Sequence, residues 1–253
     1  MAGGELARTV GPILAAWAIS IWTLEGMYRL MAIGWLTALV LFLRLRTVSA
    51  RAEKTTGLKA ILPVFRRLFL PLTVANFFRL FSLICLTTYL PTLLKMEGSS
   101  LLVAGAALSI LEFAGAAGAL MSGTLSDILG RKMVMVISVV SSTLLMYVFL
   151  HTGGWITIPI LLLLGFTTLS NTPVMLALVQ EQVSSHRGMA NGIFMVMMFF
   201  LQSLVTLIIG TLGDRIGLRQ VFEWSVFLAL LALPAILLLP GSFVNGDHSL
   251  RGN

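Results

Sequence analysis

Apolar runs of about 20 residues, the length that spans the hydrocarbon core of a bilayer as a helix, recur along the chain between short polar interruptions. They lack the period-two alternation of transmembrane β-barrel strands. The pattern predicts eight membrane helices, at residues 9–24, 27–43, 68–94, 100–122, 131–150, 155–179, 188–212 and 220–239. The expected fold is therefore an all-α, polytopic membrane helix bundle. The longest polar interruption divides the chain into two helices at 1–45, a basic linker at 46–67, a six-helix bundle at 68–240 and a tail at 241–253. In the linker, Leu58, Ile61, Leu62 and Phe65 fall at helical spacing beside Lys59, Arg66 and Arg67. That pattern predicts a short helix lying on the membrane surface, bent or interrupted at Pro63. For residues 44–56 a disordered basic linker is the alternative.

Charge orients the bundle. The connection carries Arg44, Arg46, Arg51, Lys54, Lys59, Arg66 and Arg67 against the single acid Glu53. An excess of Lys and Arg marks a cytoplasmic loop. Alternation of eight spans then puts Arg8, Arg131, Lys132, Arg187 and Arg251 on the same side, and only Arg29, Lys95, Arg215 and Arg219 outside. Both termini are expected in the cytoplasm, with the bundle in an inner or plasma membrane. Topology thus accounts for most of the net charge of +7, which gives no reason to expect a nucleic-acid partner. At 58% hydrophobic and 11% charged, the chain is far from the roughly one-quarter charged residues of a soluble domain.

Other chemistry is sparse. Cys85 is the only cysteine, so no intrachain disulfide can form. His151, His186 and His248 are too scattered for metal-ligand spacing. No GxxxxGK[ST] loop is present to hold the phosphates of ATP. No metal or cofactor is expected, and no helix end gathers the acids or histidines of an enzyme site. The short polar start shows no cleavage signature.

One short stretch repeats. Residues 123–132 read GTLSDILGRK and residues 210–219 read GTLGDRIGLR. Both begin Gly-Thr-Leu, with acids Asp127 and Asp214 at the fifth position and glycines Gly130 and Gly217 at the eighth. Three predicted spans separate them, which places the copies at opposite faces, as in an inverted internal repeat.

The first copy resembles the cytoplasmic-loop signature of the major facilitator superfamily, through Gly123, Asp127, Gly130, Arg131 and Lys132. Where that family has a basic residue directly after the acid, this chain has Ile128, so one of the usual charge contacts is missing. The second copy, with Gly210, Asp214, Arg215, Gly217 and Arg219, sits where the family joins its last two helices. Residues 11–20 (GPILAAWAIS) resemble the family's fifth helix. Residues 77–94 (FFRLFSLICLTTYLPTLL) are similar to the seventh helix of exporters of the fosmidomycin-resistance type. The resemblance implies a secondary transporter represented by its fifth to twelfth helices. Its first four helices would be missing, through truncation or fragmentation, or be supplied in cis or trans by a split partner.

The resemblance also implies that the first and fourth predicted helices pack together between the halves. Asp127 would then meet the start of the first helix near Arg8 and Gly11, and that contact would bias inward-open against outward-open states. Small-residue rows suit such an approach: Ala114, Gly118 and Ser122 beside Gly115, Ala119 and Gly123 on the fourth helix, and Gly11, Ala15, Ala16 and Ser20 on the first. An ordinary polar loop, and the usual Gly/Ala richness of membrane helices, are the plainer explanations.

Two charges lie inside helices. Arg79 is roughly 16 Å and Glu112 roughly 15 Å from the cytoplasmic ends of their helices at the standard rise. A charge at such depth costs at least about 2.5 kcal/mol on insertion scales. Both are therefore expected to face the protein interior, paired directly or through water. Glu112 is a candidate proton carrier, and Arg79 its partner or the ligand of an anionic solute; a permanent structural ion pair is the alternative. Asn76, Asn171, Thr172 and Gln202 are candidate solute contacts, or simply interhelical hydrogen bonds. Pro173 should kink its helix and free a carbonyl. Met195, Met197, Met198, Phe199 and Phe200 form a soft run suited to apolar ligands, to lipid or to core packing. The expected partners are the lipid bilayer, a small-molecule solute and protons. Proton-coupled export of a small organic or drug-like solute is the leading expectation; uptake of an organic anion and a non-transporting remnant are the rivals.

Overall fold

The computed structural model describes residues 2–23, 25–46, 65–183 and 187–239. The expected surface helix of the linker, apart from its last residues, and the tail 241–253 lie outside them. Among the described residues there is no strand. Six helical spans are long and apolar enough to cross a membrane: Arg67–Met96, Leu101–Leu129, Arg131–His151, Gly154–Gln182, Gly188–Ile216 and Leu218–Leu238. They correspond to the last six predicted helices.

The first predicted span starts earlier than expected and the second is displaced towards the linker. Helix α1, Ala2–Trp22, is apolar only over Thr9–Trp22. Helix α2, Met31–Leu45, has 15 residues, because a 3-10 turn at Glu25–Leu30 takes up the start of the predicted span. Most of α2 is exposed, including Trp35 and Phe42.

The first long span is α3 (Leu70–Ile84) and α4 (Leu90–Met96), joined by a π turn at Cys85–Tyr89. Then follow α5 (Leu101–Leu129) and α6 (Arg131–His151). The fourth span is broken into α7 (Thr157–Leu169) and α8 (Asn171–Gln182). Helix α9 is Arg187–Ile216, and α10 (Leu218–Leu230) and α11 (Ala232–Leu238) complete the bundle. Helix α3 packs against α9, α10 and α11, while α5 packs against α1, α7, α6 and α8.

The two Gly-Thr-Leu copies make the same turn. Each ends a long helix, and its eighth-position glycine sits at positive φ before the next helix starts: Gly130 at φ 87°, ψ 141° and Gly217 at φ 92°, ψ 139°. Side chains other than glycine are strained there. Three spans separate the turns, and their partners confirm that they occupy opposite ends of the bundle. Lys132, in the first turn of α6, donates through Nζ to the carbonyls of Leu237 and Leu239 at the end of α11. Arg219, in the first turn of α10, donates to the carbonyl of Leu150 at the end of α6 and pairs with Glu97 beyond α4. The tenth-position base of each copy thus covers the terminal carbonyls of the helix that follows the other copy. A cation at a helix C-terminus is favourable by about 0.3–1 kcal/mol. Lys132→Met and Arg219→Met should each lower thermal stability by about that amount, and additively since the ends are distant; a combined loss well below the sum would show that the ends are not independent.

The interior is layered. One apolar core gathers Leu80, Ile84, Leu90, Leu111, Met146, Leu164, Val205 and Phe222 towards the Gly217 end. The other gathers Phe69, Leu72, Met135, Val174, Leu178, Phe194 and Ile236 towards the Gly130 end. Between them, at the middle of the spans, lies a belt of buried polar side chains: Asn76, Arg79, Ser138, Ser142, Thr143, Thr168, Ser170 and Asn171.

Helix α1 packs against α5 as expected, but the small-residue row expected to receive it serves another helix. A methyl group on Gly165 of α7 would land on the Leu111 carbonyl, and one on Gly118 would land on the Phe166 carbonyl. The row that includes Gly115 and Gly118 therefore seats α7. Helix α1 instead meets α5 at Gly105, where an added Cβ would lie 2.7 Å from Ala16 Cβ and 3.1 Å from the Pro12 carbonyl.

Candidate functional site

The polar belt centres on Arg79, which is 3% exposed. Its guanidinium donates to the Thr168 carbonyl at 3.2 Å, to Asn76 Oδ1 at 3.2 Å and to Thr172 Oγ1 at 3.4 Å. Asn76 in turn donates to the Met198 sulfur at 2.9 Å, and Thr73 donates to the Met197 sulfur at 2.9 Å. The arginine therefore ties α3 to α7 and α8 at mid-depth, while Asn76 and Thr73 tie α3 to α9.

The local cause is the broken fourth span. Pro173 has no N–H and cannot bond the carbonyl four residues back. The chain breaks at Ser170, between α7 and α8. Side chains take up the carbonyls at the break: Ser138 and Ser170 donate to Thr167, and Arg79 donates to Thr168. The kink expected at Pro173 is present three residues upstream, and the residues that satisfy it include Ser138 and Ser170, which the sequence reading did not single out. Mid-span serines and threonines in an otherwise apolar pattern were the available signal. Thr168 Oγ1, Asn171 Oδ1 and Arg79 Nε have no hydrogen-bond partner among the described residues, so the belt retains polar capacity.

The expected Arg79–Glu112 pair does not form directly. Glu112 is buried, at 5% exposed, on α5, but every hydrogen bond of Arg79 goes to the neutral groups around the break. The Thr168 carbonyl, beside the break, is one of the acceptors that hold the guanidinium. Asn76, Arg79 and Thr172 are thus brought together, with Asn171 in the same belt. Gln202 is separate. It lines an open groove of about 700 Å³ with Tyr89, Thr206, Gly210 and Asp214. The soft run divides: Met197 and Met198 turn towards α3, while Phe199 and Phe200 are exposed.

At the Gly130 end, Arg131 is held by Asp127 at 2.5 Å and by Glu181, at the end of α8, at 2.7 Å, and it also donates to Ser126. Asp127 lies in the last turn of α5, where the helix dipole disfavours an acid; the guanidinium opening the next helix compensates. Among the described contacts Asp127 pairs with Arg131, and the side chain of Arg8 lies outside the described residues. The α1 contact lies at Gly105, 22 residues away along α5, which is about 33 Å of helix, and Gly11 has open space beside it. An added Cβ at Gly123 would also meet nothing within 4 Å. At the other end Arg215 is exposed, and Arg219 with Glu97, His151 and Trp155 lines a second cavity of about 1020 Å³.

Comparison with known proteins agrees with this architecture. A family model described as Major Facilitator Superfamily matches residues 1–205. The Fosmidomycin resistance protein of Escherichia coli (strain K12) is 27% identical over 253 aligned residues, which cover 93% of this chain. The chain spans 60% of the length of that relative.

Proposed function

The chain belongs to the major facilitator superfamily, and from that premise we propose that it moves a small organic or drug-like solute outward by alternating access, driven by protons. The observation that carries this reading is the buried polar belt around Arg79, at the depth where a bilayer offers no water. Charged groups at such depth are costly and mark solute or ion pathways. Asn76, Arg79, Asn171 and Thr172 are the proposed solute contacts, and the buried Glu112 the proposed proton carrier. The Asp127–Arg131–Glu181 contact is the proposed latch at the Gly130 end. By the distribution of Lys and Arg that end is cytoplasmic, and the Gly217 end faces outward.

Export is favoured over anion uptake by what Arg79 does. Its guanidinium already serves a carbonyl, an amide and a hydroxyl, which leaves less for a solute carboxylate. A resistance protein among the relatives also fits outward movement of a toxic solute.

The test is solute flux in proteoliposomes holding the chain, over a panel of small amphipathic antibiotics, with and without a pH gradient. Flux that follows the gradient is expected, and Glu112→Gln should abolish that dependence. Gradient-driven flux that persists in Glu112→Gln would sink the proton-carrier assignment. No flux of any kind would favour the non-transporting or split-subunit reading.

A further inference from the structure

Helix α9 carries Met198, Gln202, Thr206, Gly210 and Asp214 at four-residue intervals. Residues so spaced form one ridge that winds slowly around a helix, and this one is about 24 Å long at the standard rise. It starts at the polar belt, where Met198 receives the hydrogen bond from Asn76. It ends in the second-copy turn at Asp214. The open groove of about 700 Å³ follows its outer part, from Phe199 to Asp214.

Exposure makes this ridge informative. On the same helix, the exposed side chains nearer the Gly130 end are Val196, Phe199 and Phe200, which suit lipid. Further along the exposed set is mixed: Gln202, Ser203 and Thr211 are exposed together with Leu204 and Leu207, and polar side chains on a membrane helix belong against water or protein. Tyr89 forms the opposite wall. Its hydroxyl donates to the Thr206 carbonyl at 3.0 Å and lies 2.8 Å from where a Cβ on Gly210 would be. Tyr89 closes the π turn Cys85–Tyr89, a local rewinding that often accompanies functional sites. Among the described residues lining the groove, Asp214 is the one with a charge.

We propose that the groove along α9 is the outward half of the solute path, that Asp214 makes it pass neutral or cationic solutes rather than anions, and that Tyr89, seated on Thr206 and Gly210, is its gate. This rests on the transporter reading above, but its test does not need transport. Single cysteines are introduced at Ser203, Thr211 and, outside the groove at the same depth, Leu204, in a Cys85→Ala background. Membranes holding the chain are then exposed from the outer face to thiosulfonate reagents that cannot cross, one cationic and one anionic.

Ser203→Cys should react at least tenfold faster than Leu204→Cys, and faster with the cationic reagent than with the anionic one. Asp214→Asn should bring that charge preference close to the value for a free thiol, and Asp214→Glu should keep it. Tyr89→Phe, which loses the anchoring hydroxyl, should speed reaction at Ser203→Cys several-fold while leaving Thr211→Cys, near the mouth, unchanged. Equal rates at Ser203→Cys and Leu204→Cys would overturn the groove as a water-filled path. A preference unmoved by Asp214→Asn would overturn the charge filter, and rates indifferent to Tyr89→Phe would overturn the gate. A labelled groove in a chain without flux would leave the water-filled groove, its charge preference and its gate standing but remove the solute path with the transport reading; flux without labelling would keep transport and overturn the groove.

Discussion

Arg79→Met is expected to reduce solute flux by at least a hundredfold while changing stability much less. The substitution leaves the Thr168 carbonyl, Asn76 Oδ1 and Thr172 Oγ1 without their donor, and a buried acceptor left unsatisfied costs about 1–3 kcal/mol. Against this, a buried cation with no ion pair among the described residues no longer has to be held in an apolar interior, and that relief is several kcal/mol in the opposite direction. The two terms largely cancel in the folding free energy. On the proposed reading they do not cancel in flux, because methionine cannot offer the planar set of donors that orients Asn76 and Thr172. Arg79→Lys separates charge from geometry: an ammonium keeps the charge but cannot serve three acceptors from a rigid fork, so flux should remain well below that of the unaltered chain. Thermal unfolding and flux on the same preparations provide the check. If Arg79→Met lowers the unfolding temperature yet transports normally below it, the arginine is only a brace for the broken helix.

The largest loss of stability is expected from Gly165→Ala and Gly118→Ala. At both positions the added methyl would collide with a backbone carbonyl of the facing helix, Leu111 in one case and Phe166 in the other. A side chain could swing aside; a helix backbone has to be pushed away as a unit. Overpacking of this kind costs about 1–3 kcal/mol, and the upper end is expected here because α5 and α7 form the closest helix pair of the bundle. The double variant should lose less than the sum, since the first methyl already separates the helices. Gly123→Ala is the control: it lies on α5 with open space beside it, and replacing a helical glycine by alanine should gain about 0.5–1 kcal/mol. Unfolding temperatures in detergent that rank Gly123→Ala with the other two would mean that α5 and α7 are not packed as described.

The six long spans were legible because each combines length with unbroken apolarity. The turns at Gly130 and Gly217 were legible because the repeated decapeptide places a glycine where the backbone needs positive φ. Partners were harder to read. Arg79 and Glu112 share a depth, which is a property of sequence spacing, but whether they touch depends on which carbonyls are free nearby. Pro173 signalled the free carbonyls; nothing in the pattern said that Arg79 would reach Thr168 before it reached Glu112. Small residues on α5 likewise announced a close approach: α1 packs against α5 as expected, but at Gly105, and the row at Gly115 and Gly118 seats α7. Gln202 read as a member of the Arg79 group, yet one further turn of α9 carries it onto the open groove. At the front, the start of the second span was misplaced because apolar composition alone does not reveal the 3-10 turn at Glu25–Leu30.

The reciprocal end contacts of Lys132 and Arg219 bear on how the protein fits its surroundings. Helix α6 has 21 residues, about 31 Å at the standard rise, close to the roughly 30 Å of a typical hydrocarbon layer. Its first turn and last carbonyls are each tied to the helices that follow the second turn, so it cannot adjust by fraying. In a thicker or thinner bilayer the lipid must deform or the whole bundle must tilt, and α6 with its neighbour acts as a ruler for the membrane that suits this protein.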